Sequence, residues 1–245
     1  TRVAGATVNV DGDVSVLSGG TLALAQGQLG GAGTLTVNGT LNWAGDYGAM
    51  VGTGKTLIAA GAQMTIGGNH GGLSDRTVDN YGSTTWTGPG NYGRFELTRA
   101  VFNNKSGGVL DLRSDTEIQN WGGAPTINNA GTLQKGAGTG TTTLSSIAVN
   151  NTGTLRSDSG TLRLTGAYTQ TNGSALLTGG SLRFDQTASL QGGLLGGAGT
   201  VTGSVNNSGG TVAAGASAGA LNVTGDYTQG AGGALNVELG GAAAN

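Results

Sequence analysis

The sequence predicts an all-β fold, a parallel β-solenoid of about ten to twelve coils with almost no helix. First, apolar residues alternate with small polar ones, as in Leu35-Thr36-Val37 and Leu162-Arg163-Leu164, which is the period of a strand. Second, glycine and asparagine interrupt these short runs along the whole chain. Third, several motifs recur at the spacing of one solenoid coil, as described below.

The composition excludes several other classes of protein. The 245 residues include 52 glycines but only 2 prolines, and glycine does not recur at every third position, so the chain is not collagen-like. Glycine at this frequency also disfavours long helices. There is no cysteine, which excludes disulfides and thiolate chemistry. No apolar run approaches the roughly 18 residues of a membrane-spanning helix, so we expect no direct membrane span in this segment.

The charge pattern argues against nucleic acid as a partner. Charged residues make up 10% of the chain, and the formal net charge is -2 with no basic stripe. We also expect no cofactor, no metal site and no catalytic residues, because no ligand cluster or catalytic motif is present. A net charge this close to zero favours self-association. The open ends of a solenoid expose unpaired backbone groups, so end-to-end stacking of copies is also expected unless the ends are capped.

A repeated motif, apolar-x-Asn-x-Gly, sets the length of a coil. Its apolar positions are 78, 127, 149 and 205, and a looser copy, with its glycine one residue later, begins at 102, so the spacings are 24, 25, 22 and 56 residues. The first three spacings match one coil, and the fourth matches two or three. Asparagines stacked at one corner can hydrogen-bond along the axis through their side-chain amides. The motif therefore predicts a structural row of five side chains: Asn80, Asn104, Asn129, Asn151 and Asn207.

Two longer duplications support one continuous solenoid. Residues 160–170 (GTLRLTGAYTQ) match residues 219–229 (GALNVTGDYTQ), and the hexapeptide LGGAGT occurs at 29–34 and again at 195–200. We interpret these repeats as lying in register and residues 1–245 as a single β-solenoid. No internal domain boundary is predicted.

The last part of the chain resembles a known family. Residues 195–241 read LGGAGTVTGSVNNSGGTVAAGASAGALNVTGDYTQGAGGALNVELGG, which is similar to the strand repeats of bacterial autotransporter passengers and large surface adhesins. Ala214 and Ala218 stand where that family has turn prolines, whereas the turn glycines Gly215 and Gly219 are kept. Residues 147–192 resemble the same repeat more loosely and residues 1–68 share its texture, whereas residues 69–124 do not match well, so the resemblance covers about two thirds of the chain. It implies a right-handed β-helix that is exported to the bacterial cell surface or outer membrane, cut from or lacking its anchor, and used in cell adhesion and virulence.

Residues 69–121 form a less regular segment in which charged and aromatic residues concentrate. This segment holds 11 of the 24 charged residues and six of the 11 aromatic ones. Aromatic side chains stack on sugar rings and charged groups bind hydroxyls, so the segment is a candidate binding face. Its first candidate ligand-binding residues are Trp86, Tyr92, Arg94 and Trp121. The alternative interpretation is an irregular region with a larger corner loop.

Alternating charges in the same segment suggest a further group. Asp111, Arg113, Asp115 and Glu117 alternate in sequence, which predicts that all four lie on one strand and point the same way. Asp111, Arg113 and Asp115 are therefore added to the candidate ligand-binding residues. A pair of carboxylates for glycoside hydrolysis is one interpretation, and a solvated strand is the other.

Three functions follow from these observations. The first is an extracellular structural or adhesive module without enzymatic activity, a rigid rod whose side face binds glycans, host or bacterial cells, or its own copies. The second is a β-helical polysaccharide lyase or glycoside hydrolase. The third is the subunit of a self-assembling extracellular fibre.

Overall fold

The computed structural model describes residues 1–44, 46–68, 70–88, 94–215 and 219–237. These residues form 34 strands and no helix. No helix in the described part is therefore long or apolar enough to cross a membrane.

The strands are short, and most contain three or four residues. Numbered in chain order, the first twelve are β1 (Arg2–Val3), β2 (Thr7–Asn9), β3 (Val14–Val16), β4 (Thr21–Leu24), β5 (Gln28–Gly30), β6 (Thr34–Val37), β7 (Thr40–Trp43), β8 (Gly48–Val51), β9 (Lys55–Ile58), β10 (Gln63–Ile66), β11 (His70–Ser74) and β12 (Thr77–Asn80). The next twelve are β13 (Ser83–Trp86), β14 (Arg94–Thr98), β15 (Val101–Asn104), β16 (Val109–Leu112), β17 (Glu117–Gly122), β18 (Thr126–Asn129), β19 (Thr132–Lys135), β20 (Thr141–Ser145), β21 (Ala148–Asn151), β22 (Thr154–Ser157), β23 (Thr161–Leu164) and β24 (Tyr168–Gln170). The last ten are β25 (Ser174–Leu177), β26 (Ser181–Phe184), β27 (Ala188–Leu190), β28 (Leu194–Gly197), β29 (Gly199–Thr202), β30 (Val205–Asn207), β31 (Thr211–Ala214), β32 (Leu221–Val223), β33 (Tyr227–Gln229) and β34 (Ala234–Asn236).

Every third strand belongs to the same sheet, and all pairings are parallel. Sheet A begins with β1 and has 12 strands, sheet B begins with β2 and has 11, and sheet C begins with β3 and has 11. Each coil thus contributes one strand to each sheet, which is a three-sided parallel β-solenoid. This confirms the predicted fold class, and the strand counts agree with the predicted number of coils.

The core is a set of side-chain columns that run along the solenoid axis. In sheet A, for example, Trp43, Ile66, Trp86 and Leu112 pair in register from one coil to the next and are all buried. Alternate residues of each strand point outward and are mostly threonine, serine or charged. The period-two alternation in the sequence therefore arises because each strand has one face inside the solenoid and one face outside.

Corners between the sheets require glycine where successive coils touch. A Cβ added at Gly131 would collide with the carbonyl oxygen of Gly108 one coil earlier, and a Cβ at Gly153 would collide with that of Gly131. At the corner between sheets B and C, Gly52 has φ +85°, and Asp75 and Arg99 take the left-handed conformation in the next two coils. Nε of Arg99 also lies 2.5 Å from Oδ1 of Asp75, so the two side chains form an ion pair between these coils. At this corner, two charged residues in contact therefore occupy the positions that correspond to Gly52.

An inner amide row runs along sheet C inside the solenoid. Side-chain amides donate from Asn80 to Asn104, from Asn104 to Asn129, and from Asn129 to Asn151 over 2.7–2.8 Å, and Asn151 donates to Gln170 over 3.1 Å. Each asparagine also donates to the backbone carbonyl that begins a sheet A strand one coil further on, as Asn129 does to Thr154. The row therefore connects coils and closes the corner between sheets C and A.

Asn207 is not in contact with the other four predicted asparagines. The same column continues from Asn151 to Gln170, then to Leu190, and only then to Asn207. Asn207 donates instead to the Tyr227 hydroxyl and to the carbonyl of Ala234. The spacing of 56 residues equals three coils, so Leu190 interrupts the row.

An outer amide row lies on the opposite face of the same strands. Asn150 donates to Asn128, Asn128 to Asn103, and Asn103 to Asp79, over 2.7–2.9 Å. Asp79 also pairs with Lys55 at 3.0 Å and with Lys105 at 3.4 Å. Burial by itself would raise the pKa of Asp79, but the hydrogen bond from Asn103 and the two lysines outweigh it and hold the pKa below its usual value.

One predicted repeat is not structurally equivalent in its two copies. The LGGAGT sequence at 29–34 leads from sheet B to sheet C, whereas the copy at 195–200 leads from sheet A to sheet B. The expectation that the two copies lie in register was wrong. The longer match does hold, because residues 160–170 and 219–229 both pass from sheet B to sheet C.

Two cationic side chains are buried in the corners. Arg76 donates to the Thr56 hydroxyl and to the carbonyls of Gly31, Val51 and Lys55, and burial lowers its pKa. Lys135 lies in the core column between Leu112 and Ser157, and its Nζ contacts Asp115 at 2.6 Å. Arg76 thus donates to four acceptors and Lys135 to three, the other two being the carbonyl of Ala137 and the Thr142 hydroxyl, so hydrogen bonds compensate for the burial of both charges.

Candidate functional site

Arg94 and Trp121 are the two predicted ligand-binding residues that lie together on a surface. Both are on sheet B, where the Arg94 guanidinium carbon lies 5.2 Å from the centre of the Trp121 ring. Trp121 is 56% exposed, whereas Trp86 is only 2% exposed and faces the core between Ile66 and Leu112. Trp86 therefore offers no ring face to an external ligand. Tyr92 lies outside the described residues.

The three charged candidates do not join Arg94 and Trp121. Asp111 faces outward on sheet A, and its carboxylate pairs with Arg113 at 3.2 Å. Asp115 lies at the following corner and accepts hydrogen bonds from Lys135 and from the backbone of Gly140. The expectation that Asp111, Arg113, Asp115 and Glu117 share one strand was wrong.

A corner separates those four residues. β16 ends at Leu112 in sheet A and β17 begins at Glu117 in sheet B. Between these strands, the Ser114 hydroxyl donates a hydrogen bond to the carbonyl oxygen of Gly88. Oγ of Ser114 also lies 2.8 Å from Oγ1 of Thr116, within hydrogen-bond distance. These local bonds turn the chain, which the alternation of charges in the sequence does not reveal.

An open depression of about 400 Å³ lies on sheet B beside Arg94. We call it the sheet B depression, and the residues that line it are Tyr47, Gly48, Ala49, His70, Gly71, Gly72, Arg94 and Glu96. Three neighbouring strands of sheet B, β8, β11 and β14, supply all of these residues in register except Tyr47, which directly precedes β8. The depression therefore extends along the solenoid axis across three coils.

Two large core rings explain the glycines beneath this depression. Trp43 and Phe95 pack edge to face with ring centres 5.0 Å apart inside the solenoid. A Cβ on Gly71 would lie 3.0 Å from the Phe95 ring, and a Cβ on Gly48 would lie 2.8 Å from Nε1 of Trp43. The core rings thus leave no room for side chains at these two inward positions.

Gly72 has a different role, because it faces outward. A Cβ at Gly72 would meet only the carbonyl oxygen of Glu96, at the ordinary contact distance of 3.7 Å. No core packing requires a glycine there, so the missing side chain keeps the floor of the depression open. Ala49 in the preceding coil, which is in register with Gly72, also has a small side chain.

An aromatic pair forms one end of the depression. The Tyr47 ring is stacked on the His70 ring with centres 4.9 Å apart and planes 4° from parallel. Tyr47 is 73% exposed and has φ +61°, an unfavourable conformation for a bulky residue. The Tyr47 amide donates to the carbonyl of His70 over 2.6 Å, which holds this turn. A strained and exposed aromatic residue beside a depression is typical of a binding position.

Arg94 and Glu96 form the other end. Nε of Arg94 lies 3.3 Å from Oε1 of Glu96, and both side chains are partly exposed. Beyond them, β17 departs from regular pairing, since Leu97 is opposite Asn120 but Thr98 is opposite Gly122. This bulge places Trp121 outward, and Asn120 secures it by accepting from the Gly122 amide at 2.8 Å.

The resolved pKa shifts of carboxyl groups are all downward. Hydrogen bonds from Arg99, Lys135 and Arg163 lower the pKa of Asp75, Asp115 and Asp185, respectively, and Asp79 is lowered as described above. A general acid in glycoside cleavage requires a carboxyl whose pKa is raised. These four groups act instead as ionised hydrogen-bond acceptors. Within the described ranges, no group of three or more acidic or histidine side chains is arranged to hold a metal ion.

The fold and the site together define a class: a parallel β-solenoid that carries an aromatic-flanked depression on one of its three faces. No protein-family model, no curated protein and no solved structure matches the chain.

Proposed function

We propose that the chain is a rigid, surface-displayed β-helical module that binds glycans through the sheet B depression and Trp121. The observation that carries this proposal is the exposure of Trp121 in a chain whose other two tryptophans are buried. An exposed aromatic ring gains little for folding but offers a flat apolar surface to the CH face of a sugar. Tyr47 offers a second ring, and the open floor at Gly72 leaves room for the saccharide between them.

The repeated coils suit this role because they hold the site rigidly. Residues of the depression come from three strands whose backbones are hydrogen-bonded in register. A site on a packed scaffold loses little conformational freedom on binding. The resemblance of residues 195–241 to adhesin repeats supports an extracellular location, which protease accessibility on intact cells expressing the full protein would test.

A glycan array followed by calorimetry tests the binding proposal. We expect Trp121→Ala and Gly72→Thr to weaken binding of the selected glycan at least tenfold, because one removes the ring and the other fills the floor. Tyr81→Ala is the matched control, since Tyr81 is also exposed but lies at the corner between sheets C and A. Equal losses in all three variants, or no bound glycan at all, would contradict the proposal.

The same array tests the enzymatic alternative. Release of reducing or unsaturated ends from any glycan, abolished by Asp111→Ala, would favour a polysaccharide-degrading enzyme over a binding module. We expect no such release.

A further inference from the structure

Arg94 covers one face of the exposed ring that the proposed function assigns to sugar stacking. Its guanidinium lies over Trp121 at 5.2 Å from the ring centre, a cation–π arrangement. We infer that Arg94 is a specificity-determining residue that selects glycans carrying a carboxylate, such as uronic acids, over neutral ones. This inference rests on the proposed function and names the ligand class of that site.

Arg94 is held less firmly than the other arginines of this sheet and its corner. Arg163 contacts both carboxylate oxygens of Asp185, Oδ1 at 3.3 Å and Oδ2 at 2.5 Å, and Arg99 likewise contacts both oxygens of Asp75. The closest approach of Arg94 to Glu96 is through Nε, at 3.3 Å, which is longer than the closest approach in either of these pairs. No hydrogen bond between described residues involves its two terminal nitrogens, and these two nitrogens are the pair that can bind a carboxylate in a forked geometry.

The position of Arg94 makes neutral and acidic sugars unequal. Any sugar that stacks on the covered face of Trp121 must move the guanidinium aside and break the cation–π contact. A neutral sugar forms no charge-assisted hydrogen bond that compensates for the lost cation–π contact. A carboxylate accepts two charge-assisted hydrogen bonds from the displaced guanidinium. The difference favours an acidic sugar by about tenfold.

Two carboxylates next to Arg94 limit the effect. Glu96 already contacts Nε, and Glu117 is the register partner of Arg94 in the next coil. His70 is the register partner in the preceding coil. Glu96 therefore competes with the ligand for the same guanidinium, and its removal should strengthen acidic binding.

Matched pairs of glycans give a direct test. Oligogalacturonate and hyaluronan oligosaccharides would each be compared with their carboxyl-methylated esters, which keep the same rings without the charge. Tryptophan fluorescence reports binding at Trp121, because Trp43 and Trp86 are buried, and calorimetry gives the affinities. The variants are Arg94→Met and Glu96→Gln. Arg183→Met is the control, since Arg183 occupies the same outward column of sheet B but pairs with Asp185 at 2.8 Å.

The expected pattern separates selection from simple contact. The unmodified chain should prefer the acid over its ester about tenfold. Arg94→Met should reduce the preference to within twofold, partly by strengthening binding of the ester two- to threefold as the Trp121 ring is uncovered. Glu96→Gln should strengthen acid binding about threefold, and Arg183→Met should change neither affinity.

Three results would overturn the inference. Equal binding of acid and ester by the unmodified chain would do so, as would a preference that survives Arg94→Met. A loss of both affinities by the same factor in Arg94→Met would also do so. In all three cases the proposed glycan binding stands. If neither these oligosaccharides nor any glycan on the array binds, the proposed function fails and the inference fails with it.

Discussion

The inner and outer amide rows lie on the same strands but in opposite environments. Asn128 and Asn129 are neighbours in sequence, yet Asn129 is buried in the core column and Asn128 faces outward. Both donate to an amide in an adjacent coil at nearly the same distance, 2.8 and 2.7 Å. The comparison shows that stability depends on what replaces a lost hydrogen bond: water can replace it outside, and nothing can inside.

Breaking the inner row should have the largest effect. Asn129→Leu removes the acceptor of the Asn104 amide and the donors to Asn151 and to the carbonyl of Thr154. We expect the free energy of unfolding to fall by about 3 kcal/mol, since buried polar groups lose their partners. Chemical denaturation monitored by circular dichroism measures this loss.

The adjacent residue provides the control for that change. Asn128→Leu breaks only outer-row bonds and should cost less than about 1 kcal/mol, because water satisfies the freed groups. Equal losses in the two variants would show that burial does not distinguish the rows.

Neutralising the end of the outer row should have an intermediate effect. Asp79→Asn leaves Lys55 and Lys105 without their carboxylate and should reduce stability by about 1.5 kcal/mol at pH 7. The pKa of Asp79 is lowered in the folded chain, so its stabilisation is present above the unfolded pKa of about 4 and is lost as pH falls further.

Unfolding measured as a function of pH tests this sign. The difference in the free energy of unfolding between the original chain and Asp79→Asn should become smaller below pH ~4. A difference that stays constant down to pH ~2 would show that Asp79 does not stabilise the chain through its charge.

Removing the Tyr168 hydroxyl at the end of the inner row should have a smaller effect than the change at Asp79. The buried Tyr168 hydroxyl donates to Gln170 over 2.7 Å, and burial raises the pKa of Tyr168. Tyr168→Phe removes this donor but leaves Asn151 donating to the same oxygen, so we expect a loss of about 1 kcal/mol. A loss as large as that of Asn129→Leu would mean that Tyr168, and not the amides, anchors the row.

The sequence predicts the fold and part of the inner row because both are periodic. Asn80, Asn104, Asn129 and Asn151 recur at one-coil spacing beside an apolar residue, so their column is visible without a structure. The outer row occupies the variable position of the same motif, where Asp79 differs from Asn103, Asn128 and Asn150. Only the structure, which shows that these residues all point outward from adjacent strands, reveals that their side chains also stack.

The candidate site was less predictable because its residues are not periodic. Tyr47 and His70 are stacked, but neither belongs to a repeat, so no sequence spacing connects them. The burial of Trp86 is not visible in the sequence because its strand reads Ser-Thr-Thr-Trp. This strand lacks the second apolar residue two positions away that identifies the inward positions at Leu110 and Leu112. The interruption of the inner row by Leu190 was likewise hidden, since the spacing of 56 residues fitted either two coils or three.

The two rows also donate in opposite directions along the solenoid. Inner amides donate toward the C-terminal coils, whereas outer amides donate toward Asp79 and the N-terminal coils. Aligned amide dipoles in a helix add up and leave partial charges at its ends. Here the dipoles of one row oppose those of the other, so coils added to the stack contribute little net polarity. Over this stretch the two rows connect the coils by directional bonds without adding up to a large amide dipole along the solenoid axis.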